Sequence, residues 1–311
     1  MPLDPQTREY LDQMAALNMP PLSALQPEVM RQLIAAQVAS EPPGEPVARV
    51  EDRTIPGPAG EIPVRIYTPE GEGPFPLLVY FHGGGWVICD LDTHDSGCRS
   101  LCNGAGCVVV SVDYRLAPEH KFPAAVEDCY AATSWVAEHA AEIDGDAAHL
   151  AVGGDSAGGN LTAVVAQLAR DQHGPRLFLQ LLIYPATNFT AQTPSKKENA
   201  EGYFLTVEDM DWFEGHYLNS QEDRLNPLAS PLLASDLSNL PPALILTAEY
   251  DPLRDEGEQY GQRLQEAGVP VTMRRYDGLI HGFFNSALII DAARRAVEET
   301  SRALRAAFAG G

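Results

Sequence analysis

Ser156 lies between glycines in Gly154-Asp155-Ser156-Ala157-Gly158, a setting that suits a nucleophile. Leu150, Ala151 and Val152 before it predict a short buried strand, and Leu161 to Arg170 after it predict a helix. A strand that turns sharply into a helix strains the residue at the turn, and flanking glycines leave room for the crossing backbones. The turn lifts the hydroxyl clear of the sheet edge and aims the first amides of the helix at any negative charge formed there. A bare Gly-x-Ser-x-Gly arises by chance in about one such chain in ten, so the flanking strand and helix carry the argument.

A second stretch supplies what a serine nucleophile needs. The apolar run Phe75 to Phe81 predicts a buried strand and ends in His82-Gly83-Gly84-Gly85-Trp86. Bare backbone at a strand end can approach a substrate closely, so the amides of Gly83 and Gly84, with that of Ala157, are the expected oxyanion donors. His82 is expected to orient this loop. It is a weak candidate base, since it precedes Ser156. A hydroxyl also needs a base, and the base needs an acid to orient it. Three acids follow the strand Ala243 to Ala248: Glu249, Asp251 and Asp255. Asp251, in the loop and fixed by Pro252, is best placed. Asp255 suits the first turn of the next helix, where a carboxylate favours the dipole. His281 follows the last strand, read as Val269 to Tyr276, in a loop before the terminal helix. Ser156, Asp251 and His281 thus arrive in the order nucleophile, acid, base.

These residues require a scaffold of alternating strands and helices. Val47 to Ile55 and Ile62 to Thr68 flank a Pro- and Gly-rich turn and predict an antiparallel pair. Gly106 to Asp113, the strand before Ser156, Leu177 to Tyr184, Ala243 to Ala248 and the last strand alternate with helices near 123–140, 161–170, 255–268 and 287–308. That rhythm predicts an α/β protein with a mostly parallel sheet and helices on both faces. Two segments stand outside it. Residues 1–45 predict two helices, one capped by Asp4 and one begun at Pro27, which either pack on the core or cover the site. Residues 188–222 carry Phe204, Trp212 and Phe213, either ordinary packing or the wall of an acyl pocket. The pocket reading is favoured because ligands of open α/β sheets sit at the C-terminal strand ends. Trp86, Tyr184, Phe204, Trp212 and Phe213 are therefore the candidate substrate contacts.

Composition narrows the partners. The 311 residues carry a net charge of −22, against nucleic acid and anionic membranes. No stretch reaches the length of a membrane span. The first residues lack a secretory pattern, which favours the cytoplasm. Five cysteines, at 89, 98, 102, 107 and 129, form no Cys-x-x-Cys pair. That spacing supports neither a disulfide framework nor a zinc site.

The motifs together resemble the hormone-sensitive-lipase-like family of bacterial esterases among the α/β-hydrolases, in its Gly-Asp-Ser-Ala-Gly branch. The carriers are His82 to Trp86, Asp113-Tyr114-Arg115-Leu116-Ala117-Pro118-Glu119, Gly154 to Gly159, Asp251 to Asp255 and His281-Gly282-Phe283. The resemblance implies an α/β-hydrolase fold with a helical cap made of residues 1–45 and 188–222, on a catalytic domain of residues 46–187 and 223–311. It implies hydrolysis of short- to medium-chain carboxylic esters with no cofactor and no metal; a homo-oligomer stays open. An amidase or peptidase using the same triad remains an alternative, and a non-catalytic small-molecule-binding protein on this fold a weaker one.

Overall fold

Eight strands form one sheet, and the three residues of interest sit at its C-terminal edge. The computed structural model describes residues 2–40 and 42–310. Met1 and Glu41 of the N-terminal segment, and Gly311, lie outside the described residues. The strands are β1 (Arg49–Gly57), β2 (Gly60–Thr68), β3 (Phe75–Phe81), β4 (Val108–Val112), β5 (Gly145–Asp155), β6 (Leu179–Ile183), β7 (Ala243–Tyr250) and β8 (Val271–Ile280). Their order across the sheet is β1-β2-β4-β3-β5-β6-β7-β8. β1 with β2, and β2 with β4, run antiparallel; the remaining neighbours are parallel.

The parallel strands read as unbroken apolar runs because both faces are covered. In β3 the alternation is explicit. Leu77, Val79 and Phe81 point into one core with residues of helices α4 (Ala124–Glu138) and α5 (Ala157–Asp171). Leu78 and Tyr80 point into the other, with α3 (Asp95–Ala105) and α9 (Asp291–Ala309). Helix α8 (Arg254–Glu266) packs through Tyr260 and Leu264 on the α5 side. Among the described residues no helix is long and apolar enough to cross a membrane.

Several expected boundaries move, β5 and α5 among them, and two of the shifts have a clear physical reason. The first hairpin pairs through Pro56 and Gly57, leaving only Pro58 and Ala59 as the turn. Proline is tolerated there because β1 is an edge strand. The last strand runs on through the polar Asp277-Gly278 to Ile280, resuming its pairing after an irregularity between Ala248 and Tyr250. A local reading takes Asp-Gly for a turn, whereas the bulge keeps the pairing going and leaves His281 directly at the strand end.

The two segments outside the sheet meet each other. Helix α1 (Pro5–Ala16) is capped by the Asp4 carboxylate, which accepts from the amides of Gln6 and Thr7, and α2 (Pro27–Val38) starts at Pro27. Residues 188–222 hold α6 (Pro194–Glu198) and α7 (Val207–Tyr217), the latter fixed by a reciprocal cap between Thr206 and Asp209. Tyr10 packs on Phe204 with ring centroids 6.2 Å apart, and Ser23 donates to Glu208 at 2.5 Å. Arg31 of α2 ties this layer to the glycine loop. Its guanidinium donates to the carbonyls of Val87 and Ala117 at 2.8 and 2.7 Å and forks onto Glu119.

Candidate active site

Ser156 stands between β5 and α5 with φ 55° and ψ −115°, a conformation only strong local constraints hold in a residue with a Cβ. Those constraints are visible. Its amide donates to the Ile183 carbonyl at 2.8 Å, and its carbonyl accepts from Asn160 and Ala186. Gly158 is obligatory because a Cβ there would run into the Phe81 carbonyl. His281 Nε2 lies 2.9 Å from Ser156 Oγ, and His281 Nδ1 lies 2.8 Å from Asp251 Oδ2. Asp251 is fully buried, and its other oxygen accepts the Leu253 amide at 2.8 Å. The rival acids are occupied elsewhere: Glu249 accepts the Gly278 amide, while Asp255 accepts the Ser195 amide and pairs with Arg254. A hydroxyl, an imidazole and a buried carboxylate in series can deliver a proton-relieved serine oxygen to an electrophilic carbon.

His82 belongs to the loop. Its Nδ1 lies 2.7 Å from the Gly83 carbonyl, its ring stacks on Tyr114 at 4.3 Å, and the Tyr114 hydroxyl donates to the His82 carbonyl. Burial pushes its imidazole down to about 4.

One expected oxyanion donor needs correction. The Gly83 amide donates to Asp155 Oδ1 at 3.0 Å, with His94 Nε2 3.2 Å away, so it is not free to meet a substrate oxygen. Gly84, Gly85 and Ala157 line the cavity instead. The amides of Gly84 and Gly85 have no hydrogen-bond partner among the described residues. Ala157, as the first residue of α5, has no acceptor within its helix. The glycine motif reveals bare backbone, but not which of its three amides faces outward.

The cavity holds about 650 Å³ and opens over Ser156 and His281. Four of the five expected aromatic contacts line it: Trp86, Tyr184, Phe204 and Phe213. Trp86 stacks on Tyr217 at 4.4 Å, and the Tyr184 ring lies 4.7 Å from that of His281. Trp212 does not line it; its ring packs edge-on against Phe213 and His216. The roll of α7 turns Phe213 toward the cavity and Trp212, about 100° round the helix, away from it. Met14, Met30 and Ile34 from the N-terminal helices close the opposite side. Cys89 is also on the wall, and burial pushes its thiol up to about 12, which disfavours the thiolate. Sequence reasoning missed three further polar residues gathered beside Ser156, namely Tyr80, His94 and Asn285, the last two at the cavity's edge. None belongs to a motif, and Asn285 is distant in the chain from the other two.

Comparison with known proteins places the chain in a family. Residues 78–285 match the family described as alpha/beta hydrolase fold. The chain is 54% identical to the carboxylic ester hydrolase LipN of Mycobacterium tuberculosis, over 83% of this chain and 70% of that protein. It is 41% identical to an arylesterase of Saccharolobus solfataricus, over 92% of this chain and 94% of the relative. Among solved structures it resembles the hyperthermophilic esterase of the archaeon Pyrobaculum calidifontis. The TM-score is 0.93 at 47% identity, covering 98% of this chain and 99% of that one.

Proposed function

Since the chain belongs to the α/β-hydrolase family, and within it to the hormone-sensitive-lipase-like carboxylesterases, we propose that it hydrolyses short- to medium-chain carboxylic esters with Ser156 as nucleophile. It is a carboxylic ester hydrolase; the assignment of individual residues is our reading. The observation that carries it is the unbroken series Ser156 Oγ, His281 Nε2 and Nδ1, and Asp251 Oδ2, with contacts of 2.9 and 2.8 Å.

In this reading His281 takes the Ser156 proton as Oγ attacks the ester carbonyl. Asp251 holds the ring with its Nδ1 proton inward and stabilises the cation that forms. The carbonyl oxygen becomes an oxyanion and accepts from the amides of Gly84, Gly85 and Ala157. Each such donor is worth about 2.7–4 kcal/mol in the transition state. His281 then gives its proton to the leaving alcohol, leaving Ser156 acylated. Water, deprotonated by His281, attacks the acyl carbon; the acyl–Oγ bond then breaks, His281 returns the proton to Ser156 Oγ, and the acid leaves.

Residues 1–45 and 188–222 act as a cap over the catalytic domain of residues 46–187 and 223–311. The Tyr10–Phe204 contact and the shared cavity wall of α1, α2 and α7 support this. A cavity of about 650 Å³ suits a small ester rather than a long-chain glyceride. The five free thiols suit a reducing compartment such as the cytoplasm.

The test is hydrolysis of p-nitrophenyl butyrate by the protein and by Ser156→Ala at about pH 8. Turnover by the first and near-background rates in the second support the reading. Equal rates in both would remove Ser156 from the mechanism.

A further inference from the structure

Directly behind the nucleophile lies a polar cluster that the triad does not use. Asp155, the residue before Ser156, is almost fully buried. Its Oδ1 accepts from the Tyr80 hydroxyl at 2.8 Å and from the Gly83 amide at 3.0 Å. His94 Nε2 lies 3.1 Å from the same oxygen, in a side chain only 4% exposed. Asn285 Nδ2 reaches Asp155 Oδ2 at 3.4 Å and His94 Nε2 at 3.2 Å. On its far side, His94 Nδ1 meets Thr93 Oγ1 at 2.9 Å, and Thr93 is itself pinned to Asp90. A Cβ on Gly83 would come within 2.5 Å of Asp155 Oδ2, so a glycine there lets the carboxylate reach the loop.

The cluster joins the three segments that the reaction must keep in register. Asp155 is bonded to the nucleophile's own residue. Gly83 is the inner end of the loop whose next two amides face the cavity. Asn285 lies four residues after His281, in the short helical turn Phe283–Ser286. A buried carboxylate that gathers donors from three segments fixes their relative positions more tightly than separate contacts do. Burial alone would raise the Asp155 carboxyl, but His94 and the Tyr80 hydroxyl together bring it below its ordinary value.

We propose that Asp155, held by His94 and Asn285, is the anchor of the oxyanion loop, so that His94 and Asn285 are positioning residues for ester hydrolysis although neither takes part in proton transfer. The proposal rests on the esterase reading above. Its consequence is specific. Loosening the anchor lets the Gly84 and Gly85 amides drift from where the oxyanion forms, while the apolar wall of Trp86, Phe213, Met30 and Ile34, which would hold the ester's chain, is left in place even though His94 and Asn285 reach the cavity's edge. An oxyanion contact exists only in the transition state, so its loss lowers kcat and leaves KM in place.

The experiment compares His94→Ala, His94→Gln and Asn285→Ala with the parent, measuring kcat and KM on p-nitrophenyl butyrate. It also measures inhibition by an alkyl trifluoromethyl ketone, which adds to the serine and places an oxyanion in the same site. His94→Ala is expected to lower kcat about tenfold to a hundredfold, less than deleting a donor outright, with KM within about twofold. The ketone should weaken by the same factor. Asn285→Ala should move both in the same direction by about threefold to tenfold. His94→Gln, which returns an N–H toward Asp155, should recover most of the loss. If His94→Ala does not fold, the other two variants decide. The proposal is overturned if the folded variants keep kcat within about twofold of the parent, if KM rises in place of a fall in kcat, or if kcat falls while the ketone binds unchanged. A parent protein inactive on every ester would instead refute the esterase reading.

Discussion

Replacing Asp251 by asparagine tests the triad at the point where its geometry is most constrained. The Leu253 amide donates to Asp251 Oδ1 at 2.8 Å, so in Asp251→Asn the carboxamide oxygen must keep that place. Its NH2 then faces His281 Nδ1, which the carboxylate oxygen now meets at 2.8 Å. A ring nitrogen opposite an N–H donor has to be the acceptor, so the imidazole proton moves to Nε2. There it points at Ser156 Oγ, 2.9 Å away, and the ring can no longer accept the serine's proton. Wrong-tautomer trapping of this kind costs about 10⁴-fold in the serine-protease triad, on an unrelated fold. Four decades at about 1.36 kcal/mol each give about 5.4 kcal/mol of lost transition-state stabilisation. The assay is kcat on p-nitrophenyl butyrate, with a thermal melt to establish that the variant is folded. Glu249→Gln serves as the control, since its new oxygen can still accept the Gly278 amide. The control is expected within about threefold of the parent. If folded Asp251→Asn retained more than about a tenth of the activity, or if Glu249→Gln matched its loss, the assignment of the acid would be wrong.

Ser156→Gly should be more stable than Ser156→Ala by about 1 kcal/mol. Both lack the hydroxyl, but only glycine relieves a strain of roughly 1–3 kcal/mol at φ 55°, less about 1 kcal/mol for glycine's greater unfolded freedom. Denaturant midpoints of the two inactive proteins would settle the order, and an alanine variant as stable as the glycine one would contradict it. His82 stays neutral when folded, its imidazole pushed down to about 4, whereas the unfolded chain protonates near 6.5. Its contribution is therefore complete above that value and is lost as pH falls toward 4, by about 2 kcal/mol between pH 7 and 5. His82→Gln should lack this share of the pH dependence in urea titrations, and parallel curves would refute it. Phe213 closes the cavity beside Gly85. Phe213→Ala should raise the hexanoate-to-butyrate ratio of kcat/KM by about fourfold per methylene newly buried, at about 0.8 kcal/mol each. Trp212→Ala, off the wall, should leave the ratio unchanged; the reverse pattern would refute the assignment.

What the sequence made legible, and what it hid, has a physical pattern. The nucleophile was readable because backbone strain at Ser156 forces glycines at 154 and 158, a local and unusual signature. His281 and Asp251 were readable because strand ends punctuate the chain and the order of arrival limits the choices. The fold class followed from apolar runs such as Val108 to Val110, buried on both faces. By contrast, the choice among the amides of Gly83, Gly84 and Gly85 depends on one carboxylate, Asp155, whose reach is a tertiary fact. Trp212 and Phe213 are neighbours of equal apolar character, and only the roll of α7 separates them. His94 and Asn285 are 191 residues apart, and nothing in either local stretch indicates that they meet.

The most direct test of the central claim is covalent trapping. Treating the protein with diethyl p-nitrophenyl phosphate and mapping the adduct by peptide mass spectrometry asks which atom is the nucleophile. The account predicts a single diethylphosphoryl group on the peptide holding Ser156, formed in step with loss of esterase activity and absent from Ser156→Ala. Inactivation with the label on any other residue, Cys89 included, would contradict it.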